Sequence, residues 1–323
     1  MAPPVLVLGR AAVPDLTAAL TDLPHPPDVL LAEDRAAMLR HLAVAGAVIA
    51  DWSGRLVLDA AAARAGGQVR LIQYPGAGLH SIDVDAWRRA GAEVCHLPGA
   101  NAASVAEWSV LAAGALCRRL PGLDQDLRAG RWTSGADVRD LSERRVGVLG
   151  GGAVGSACLR LFAAFGCPVS YHSRRPRPEL PYEWRPLDDL LAGSDVLVVA
   201  VPLTPATRGL LGAGEIARLP ADALLVNVGR GPVTDEDAVA DALRTGRLGG
   251  AALDVFGAEP LPADHPLRAA PHTLLSPHVA GGSGTARRQI FAGVADNLAR
   301  VADGREPRWR WPTPNPPKAG HDD

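Results

Sequence analysis

The sequence predicts an α/β protein built on parallel sheets in two domains, and three observations carry that expectation. Short apolar runs alternate with stretches of helical periodicity along the chain, the pattern of strands joined by crossover helices. With 323 residues, the chain is longer than one small core requires and sufficient for two. A glycine-rich turn, "VLGGGAVG", stands between one of the strands and an apolar helix.

The first series reads strand "VLVLG", helix "PDLTAALTDL", strand "DVLLA", helix "RAAMLRHLA" and strand "AVIAD", then "VRLIQYPGAG" and "AEVCHLPG". It ends a compact unit near Gly99. A long helix is expected from about Ala102 to Arg119, with Asn101 or Ser104 as its N-terminal cap. "AGRWTSGADVRDLSER" then reads as an exposed connector. A second series begins at "RRVGVLGGG" and continues through "CPVSYHS", "DVLVVAVP", "ALLVNVG", "GGAALDVF" and "HTLLSPH". A helix from about Arg287 closes the fold. Residues 1–99 with 288–323 are expected to form one domain and residues 100–287 the other. Proline and charge in "REPRWRWPTPNPPKAGHDD" predict a loose tail after about residue 305. No solenoid period is visible.

Composition narrows the function classes. The formal charge is −2, with 47% apolar and 21% charged residues, and the basic residues are spread along the chain. This argues against nucleic acid or an anionic membrane as the partner. Lys318, in the terminal segment, is the sole lysine, which leaves no lysine for a P-loop or a Schiff base. Cys95, Cys117, Cys158 and Cys167 show neither C-x-x-C pairing nor zinc spacing, so they read as small buried residues and no metal is expected. "MAPPVLVLGR" reads as a first strand rather than a signal peptide. The stretch from Ala102 to Cys117 contains Glu107 and is too short to span a bilayer. A cytoplasmic location is expected.

"VGVLGGGAVG" holds G-x-G-x-x-G at Gly150, Gly152 and Gly155. The first glycine permits the tight turn, the second lets the backbone approach a pyrophosphate, and the third lets helix and strand pack closely. The helix start at Ala153 and Val154 adds N–H groups for the phosphates. A Rossmann-like dinucleotide site follows. The next strand should end in an acid for the adenosine ribose, but "SYHSRRPRP" places Ser173 there with Arg174 and Arg175 behind it. A carboxylate repels a ribose 2′-phosphate, whereas serine and two guanidinium groups bind it. NADP is therefore favoured over NAD.

Ligands of open α/β sheets bind beyond the carboxyl ends of the strands. Those positions carry Pro202 with Thr204, Asn227 to Gly231, Asp254 to Glu259, and Pro277 to Gly281. Arg230, Glu259 and His278 thus lie just past three successive strands. Val201, Pro202, Thr207, Val228, Gly229 and Gly281 are the further candidates for cofactor contact.

The segments "GAGLHSIDVDAW", "NAASVAEWSV", "VGVLGGGAVG", "VPLTPATRGLLG" and "VNVGRGPVTDEDAVADALRTGRLGGAALDVFGAEPLPADHPL…HTLLSPHVAGGS" resemble the D-isomer-specific 2-hydroxyacid dehydrogenase family, in order and spacing, from about residue 70 to 300. The resemblance implies two Rossmann-like domains, a flavodoxin-like substrate domain and a dinucleotide-binding one. It implies hydride transfer between a nicotinamide cofactor and a small 2-oxo or 2-hydroxy acid such as glyoxylate or hydroxypyruvate, and a homodimer through the cofactor domains. Arg230 matches the family arginine, whose fork suits a carboxylate and can lean on the keto oxygen. His278 matches the general acid/base, a residue type that titrates near neutrality. Glu259 matches the acid that orients an imidazole and favours its protonated form. Asp254 resembles the aspartate that bonds the nicotinamide amide, and Arg230 and His278 also border the cofactor. The backbone at Ala77 and Gly78 resembles the loop that grips the substrate carboxylate, where small residues allow close approach. Trp52 either lines the substrate pocket or packs at a core edge. His80 and Ser81 depart from the Asp-Asn common in the family, and His80 reads as structural.

Formate and phosphite dehydrogenases share the scaffold. The phosphite branch implies a lysine where Ala77 stands, and the formate branch implies no acid at Glu259, so both are demoted. A dinucleotide-sensing regulatory protein with little turnover is the reading from outside the enzymes.

Overall fold

A computed structural model describes residues 3–9, 13–21, 23, 25–79, 81–134 and 137–312. His80 and the tail beyond Pro312 therefore lie outside the described residues. In chain order, the first five strands are β1 (Val5–Leu8), β2 (Val29–Ala32), β3 (Ala47–Ile49), β4 (Leu71–Gln73) and β5 (Glu93–Cys95). Helices α1 (Val13–Thr21), α2 (Arg35–Leu42), α3 (Ala60–Ala65) and α4 (Val84–Arg89) connect them. Next come α5 (Ala102–Cys117), α6 (Leu120–Arg128), β6 (Val146–Leu149), α7 (Ala153–Ala164), β7 (Val169–His172), β8 (Glu183–Trp184) and α8 (Leu187–Ala192). The chain continues with β9 (Val196–Val199), α9 (Ala213–Ile216), β10 (Ala223–Asn227), α10 (Glu236–Arg244), β11 (Leu248–Leu253), β12 (Thr273–Leu275) and α11 (Gly284–Ala302).

The chain divides into two compact units, residues 1–101 with 284–323, and residues 102–283. Their limits fall where α5 and α11 begin, which places them at 101 and 284 rather than at the expected 99 and 288. The first unit holds a sheet of order β2-β1-β3-β4-β5, with every neighbouring pair parallel. This is the flavodoxin-like order. Val5, Val7, Ile49 and Leu71 pack with α1 and α11 through Leu16, Leu20, Ile290, Phe291 and Val294. Leu6, Leu8, Val48 and Ile72 pack with α2 and α4 through Met38, Leu42 and Trp87. Strands covered on both faces explain why the apolar runs are continuous rather than alternating. Asp34, Asp59 and Asp83 cap α2, α3 and α4 by accepting the N–H of Ala37, Ala62 and Ala86 at 2.7, 2.9 and 3.0 Å, satisfying donors that a helix start leaves unpaired.

The second unit holds seven parallel strands in the order β12-β11-β10-β9-β6-β7-β8. Read from β8, this is the doubly wound dinucleotide-binding order with one strand added, and its switch point lies between β6 and β9. The helix predicted to run to Arg119 ends at Cys117. Arg119 adopts a left-handed conformation, φ 51°, and Pro121 opens α6 in its first turn. Proline and glycine in "LPGLDQDLR" concealed α6, although proline is tolerated at a helix start.

The expectation of a loose tail after about residue 305 is corrected for residues 305–312. Arg310 bridges antiparallel to Cys95, Trp311 N–H donates to the Val94 carbonyl at 2.8 Å, and Trp309 packs into the core beside α11. The buried Asn297 side chain donates to the Arg308 carbonyl at 3.0 Å and accepts from its N–H at 2.7 Å. Tryptophans interleaved in the charged run supply the burial that average composition hides. All four cysteines are free and buried, and burial pushes the thiols of Cys95 and Cys158 up to about 12. Among the described residues, no helix is long and apolar enough to cross a membrane.

Candidate active site

The glycine turn lies at the carboxyl end of β6. Gly150 has φ 121°, and a side chain there would meet the Ala200 carbonyl oxygen at 2.6 Å. A Cβ at Gly155 would stand 1.9 Å from the Gly150 carbonyl oxygen, so helix and turn touch through this residue. A Cβ at Gly152 meets nothing within 4 Å. This open side coincides with the first turn of α7, where no side chain caps the helix and the N–H groups of Ala153, Val154 and Gly155 donate to no described residue. Unpaired donors, dipole and open backbone together fit the pyrophosphate of a dinucleotide.

Beyond β7, Ser173 and its arginines form a fixed loop. Ser173 Oγ donates to the Arg175 carbonyl at 2.6 Å, and Trp184 Nε1 donates to the Ser173 carbonyl at 2.9 Å. Arg177, which sequence reasoning did not single out, donates from Nη1 to the Gly151 carbonyl at 2.8 Å. It thereby ties the arginine loop to the glycine turn. Arg174 and Arg175 are exposed, and neither guanidinium has an ion pair or hydrogen bond among the described residues. Two unneutralised cations beyond the second strand suit an added phosphate.

The loops at the neighbouring strand ends form a contiguous rim. A Cβ at Gly150 would meet Val201 Cγ1 at 3.2 Å, and one at Gly229 would meet the Val201 carbonyl oxygen at 2.7 Å. Buried Asn227 shapes the next turn, accepting from Gly229 N–H at 3.0 Å and donating to the Arg230 carbonyl at 3.3 Å. Arg230 Nη1 donates to the Gly229 carbonyl at 2.7 Å. Thr207 folds its own turn by donating to the Pro202 carbonyl at 2.7 Å. Gly231 packs so tightly that a Cβ would lie 1.9 Å from the Phe256 carbonyl carbon. The loop bearing Arg230 and the loop bearing Glu259 are thus in backbone contact.

Glu259 and His278 meet directly, with Oε2 and Nδ1 2.8 Å apart. Glu259 Oε1 also accepts the Phe256 N–H at 3.0 Å. Desolvation pulls the Glu259 carboxyl upward, but hydrogen bonds from His278 and Phe256, with the charges of His278 and Arg230, outweigh it and leave the pKa lowered. The His278 side chain keeps 47% of its surface exposed, and Nε2 makes no hydrogen bond among the described residues. His278 has φ 55°, a left-handed backbone costing about 1–2 kcal/mol for a residue with a Cβ.

Asp254, at the end of β11, sustains that conformation. It is 2% exposed. Oδ1 accepts Ser276 Oγ at 2.5 Å and Val279 N–H at 2.8 Å, and Oδ2 accepts Ala280 N–H at 2.9 Å. His278 N–H donates to the Asp254 carbonyl at 2.8 Å. The carboxylate expected to reach the cofactor also clasps the histidine loop as far as Ala280, beside Gly281. Behind the Glu259 loop lies a pair that sequence reasoning missed. Glu236 Oε1 accepts Gly257 N–H at 2.6 Å, while Oε2 lies 3.1 Å from His265 Nε2. Their positions, 29 residues apart in chain order, carry no spacing signal.

In the first unit, the β4–α4 loop exposes a different chemistry. The Gly76 carbonyl accepts Leu97 N–H at 2.7 Å, and the Ala77 carbonyl lies 3.0 Å from His96 Nδ1. The N–H groups of Ala77 and Gly78 have no acceptor among the described residues. A loop whose carbonyls are tied back leaves its N–H groups available to an anion. Trp52 packs edge-on against Phe291 at 6.1 Å and beneath the Arg287 guanidinium. It packs, partly buried, at the edge of the first unit's core. Ser81 is buried and carries no carboxylate or amide.

A glycine-lined helix start at the switch point and an imidazole–carboxylate couple on the same sheet edge define a dinucleotide-dependent oxidoreductase. Residues 110–280 match the D-isomer specific 2-hydroxyacid dehydrogenase, NAD binding domain. The chain is 36% identical over 257 residues to the glyoxylate reductase of Aeropyrum pernix, covering 74% of this chain and 75% of that protein. It is 34% identical over 257 residues to the chloroplastic/mitochondrial formate dehydrogenase of Arabidopsis thaliana, covering 76% and 66%. The solved 2-hydroxyacid dehydrogenase of Ketogulonicigenium vulgare superposes with a TM-score of 0.84 at 31% identity, covering 95% and 98%. The chain belongs to the D-isomer-specific 2-hydroxyacid dehydrogenase family. It is an oxidoreductase that works with a nicotinamide cofactor.

Proposed function

We propose that the protein reduces a small 2-oxo acid of the glyoxylate or hydroxypyruvate kind to its 2-hydroxy acid, with NADPH favoured over NADH. The 2.8 Å contact between Glu259 and His278, with Arg230 close enough for its charge to act on Glu259, carries this reading. The nicotinamide supplies the hydride when bound. Glu259 holds the proton of His278 on Nδ1 and directs Nε2 outward, so Nε2 gives a proton to the new alkoxide and takes one in the reverse direction. Arg230 steadies the oxygen on which negative charge develops, a task for a fixed guanidinium fork. Gly150, Gly152 and Gly155 with Ala153 and Val154 hold the pyrophosphate. Arg174 and Arg175 take the 2′-phosphate, while Val201, Pro202, Thr207, Val228, Gly229, Asp254 and Gly281 border the rest of the cofactor. The Ala77 and Gly78 N–H groups take the substrate carboxylate, which makes the first unit the substrate domain and the second the cofactor domain.

Apolar side chains on α5, α6 and the connector support a homodimer. Leu111, Leu120, Leu127 and Trp132 are 62%, 54%, 60% and 85% exposed, more than a lone surface scatter requires. Four free buried thiols accord with a reducing cytoplasm.

A panel of 2-oxo acids with each cofactor, run beside formate and phosphite with NAD, tests the proposal. The expected result is reduction of glyoxylate or hydroxypyruvate, with His278→Ala losing on the order of 10²–10⁴-fold in turnover while still binding cofactor. Formate oxidation without 2-oxo acid reduction establishes the formate reading instead. Cofactor binding with negligible turnover on every substrate establishes the sensor.

A further inference from the structure

We propose that His96 is a positioning residue for the substrate: its imidazole fixes and polarises the Ala77–Gly78 peptide so that the Gly78 N–H faces a carboxylate. The inference rests on the reading of the 76–78 loop as the carboxylate cradle and adds the group that holds that cradle in shape.

A carbonyl oxygen only accepts, so the 3.0 Å contact with the Ala77 carbonyl places the proton on Nδ1. The peptide is planar and trans, so its C=O and N–H point in opposite directions. Anchoring the carbonyl of Ala77 on His96 therefore aims the N–H of Gly78 away from the protein. The Gly76 carbonyl, tied to Leu97 N–H at 2.7 Å, does the same for the Ala77 N–H. Two adjacent donors are thus presented by two adjacent anchors, one of them a side chain. A hydrogen bond at the carbonyl end also strengthens the donor at the N–H end of the same amide, by roughly 10–30% in condensed-phase estimates.

The ring is held for this purpose. His96 is 5% exposed, and Trp311 packs edge-on against it, with centroids 5.3 Å apart and planes at 86°. His96 N–H donates to the Trp309 carbonyl at 3.2 Å. The segment once expected to be loose is thus the wall behind the imidazole. Burial lowers the pKa of His96, with the Ala77 bond opposing, so the ring is neutral at neutral pH and its single proton is committed to the loop.

Asparagine carries an N–H₂ close to the place of Nδ1, whereas glutamine carries it near Nε2, which gives a paired test with two polar side chains. In the full chain, His96→Gln and His96→Leu should raise KM for glyoxylate and Kd for oxamate about tenfold, the loss of one well-aimed charge-assisted bond. The kcat should fall by no more than about threefold and NADPH affinity should not move, because the proton and hydride steps use other residues. His96→Asn should restore oxamate affinity to within about threefold of the parent. Oxamate affinity and KM unchanged in His96→Gln and His96→Leu, with only the melting temperature lowered, overturn the proposal. Equal losses in the Asn and Gln variants overturn it as well. A parent protein that neither binds oxamate nor reduces any 2-oxo acid removes the carboxylate reading itself, whereas a parent that does both with indifferent variants removes only His96.

Discussion

At Gly231 the geometry leaves no room for a side chain between two loops of the candidate site. In Gly231→Ala the new methyl would stand 1.9 Å from the carbonyl carbon of Phe256 and 2.3 Å from the amide nitrogen of Gly257. Both are backbone atoms, so no side chain can swing aside. Ordinary contact begins at 3.4 Å, so the Arg230 loop and the Glu259 loop must separate by about 1.5 Å, and a misplacement of about 1 Å costs on the order of 10²-fold in rate. We therefore expect kcat/KM for the preferred 2-oxo acid to fall by at least about 10²-fold. Overpacking should lower stability by about 1–3 kcal/mol, which a domain of this size survives. The phosphate turn is not touched, so NADPH binding followed by fluorescence should weaken far less than kcat/KM, by no more than about tenfold, the loss of contact at the nicotinamide end alone. The assay is steady-state oxidation of NADPH, run beside thermal melting and cofactor titration. A folded variant whose kcat/KM stays within about fivefold of the parent would refute the idea that the Arg230 and Glu259 loops act at a fixed separation. Loss of the cooperative melting transition together with activity would show a folding defect instead.

Three further outcomes follow from the same geometry. Removing both free guanidinium groups with Arg174→Ala and Arg175→Ala should raise KM for NADPH on the order of 10–100-fold while NADH moves less than about twofold, since only one ligand carries the phosphate; equal losses would contradict the 2′-phosphate assignment. Asp254→Asn turns one oxygen of the clasp into a donor facing an N–H, and leaving a buried donor unmet costs about 1–3 kcal/mol. Turnover should drop tens of fold and amide exchange should rise at residues 276–280, and unchanged exchange there would remove Asp254 as the clasp. His96 has its pKa lowered from the ordinary 6.5, so the unfolded chain binds more protons between the lowered value and 6.5. Stability is then complete above about pH 6.5 and declines as pH falls through that window; His96→Asn should flatten the decline, measured as melting temperature against pH.

Local steric demands were the most legible part of the sequence. The three glycines of the phosphate turn could be assigned separate duties because each duty is met within a few residues. The alternation of short apolar runs with helical stretches announced two parallel sheets. The order of Arg230, Glu259 and His278 past successive strands placed them on one edge, and the resemblance gave them roles. What stayed hidden depends on partners distant in the chain. Asp254 meets residues 276–280, Glu236 meets His265, and His96 meets Ala77, none at a spacing that a helix or strand period predicts. The helix α6 was concealed by Pro121 and Gly122, and the packed segment 305–312 by averaging two tryptophans into a charged run. Arg177 was visible as a third arginine, but its bond to Gly151 and its ion pair with Glu179 set it apart from the two that stand free.

The placement of the thiols has a practical consequence. With Cys95, Cys117, Cys158 and Cys167 buried and reduced, none offers the thiolate that maleimide chemistry requires. A cysteine introduced by Ala206→Cys, on the exposed 202–207 turn, would be the one site to take up a fluorophore. Dye attached there would report ligand arrival at the strand-end rim in a protein that needs no prior removal of its native sulfur.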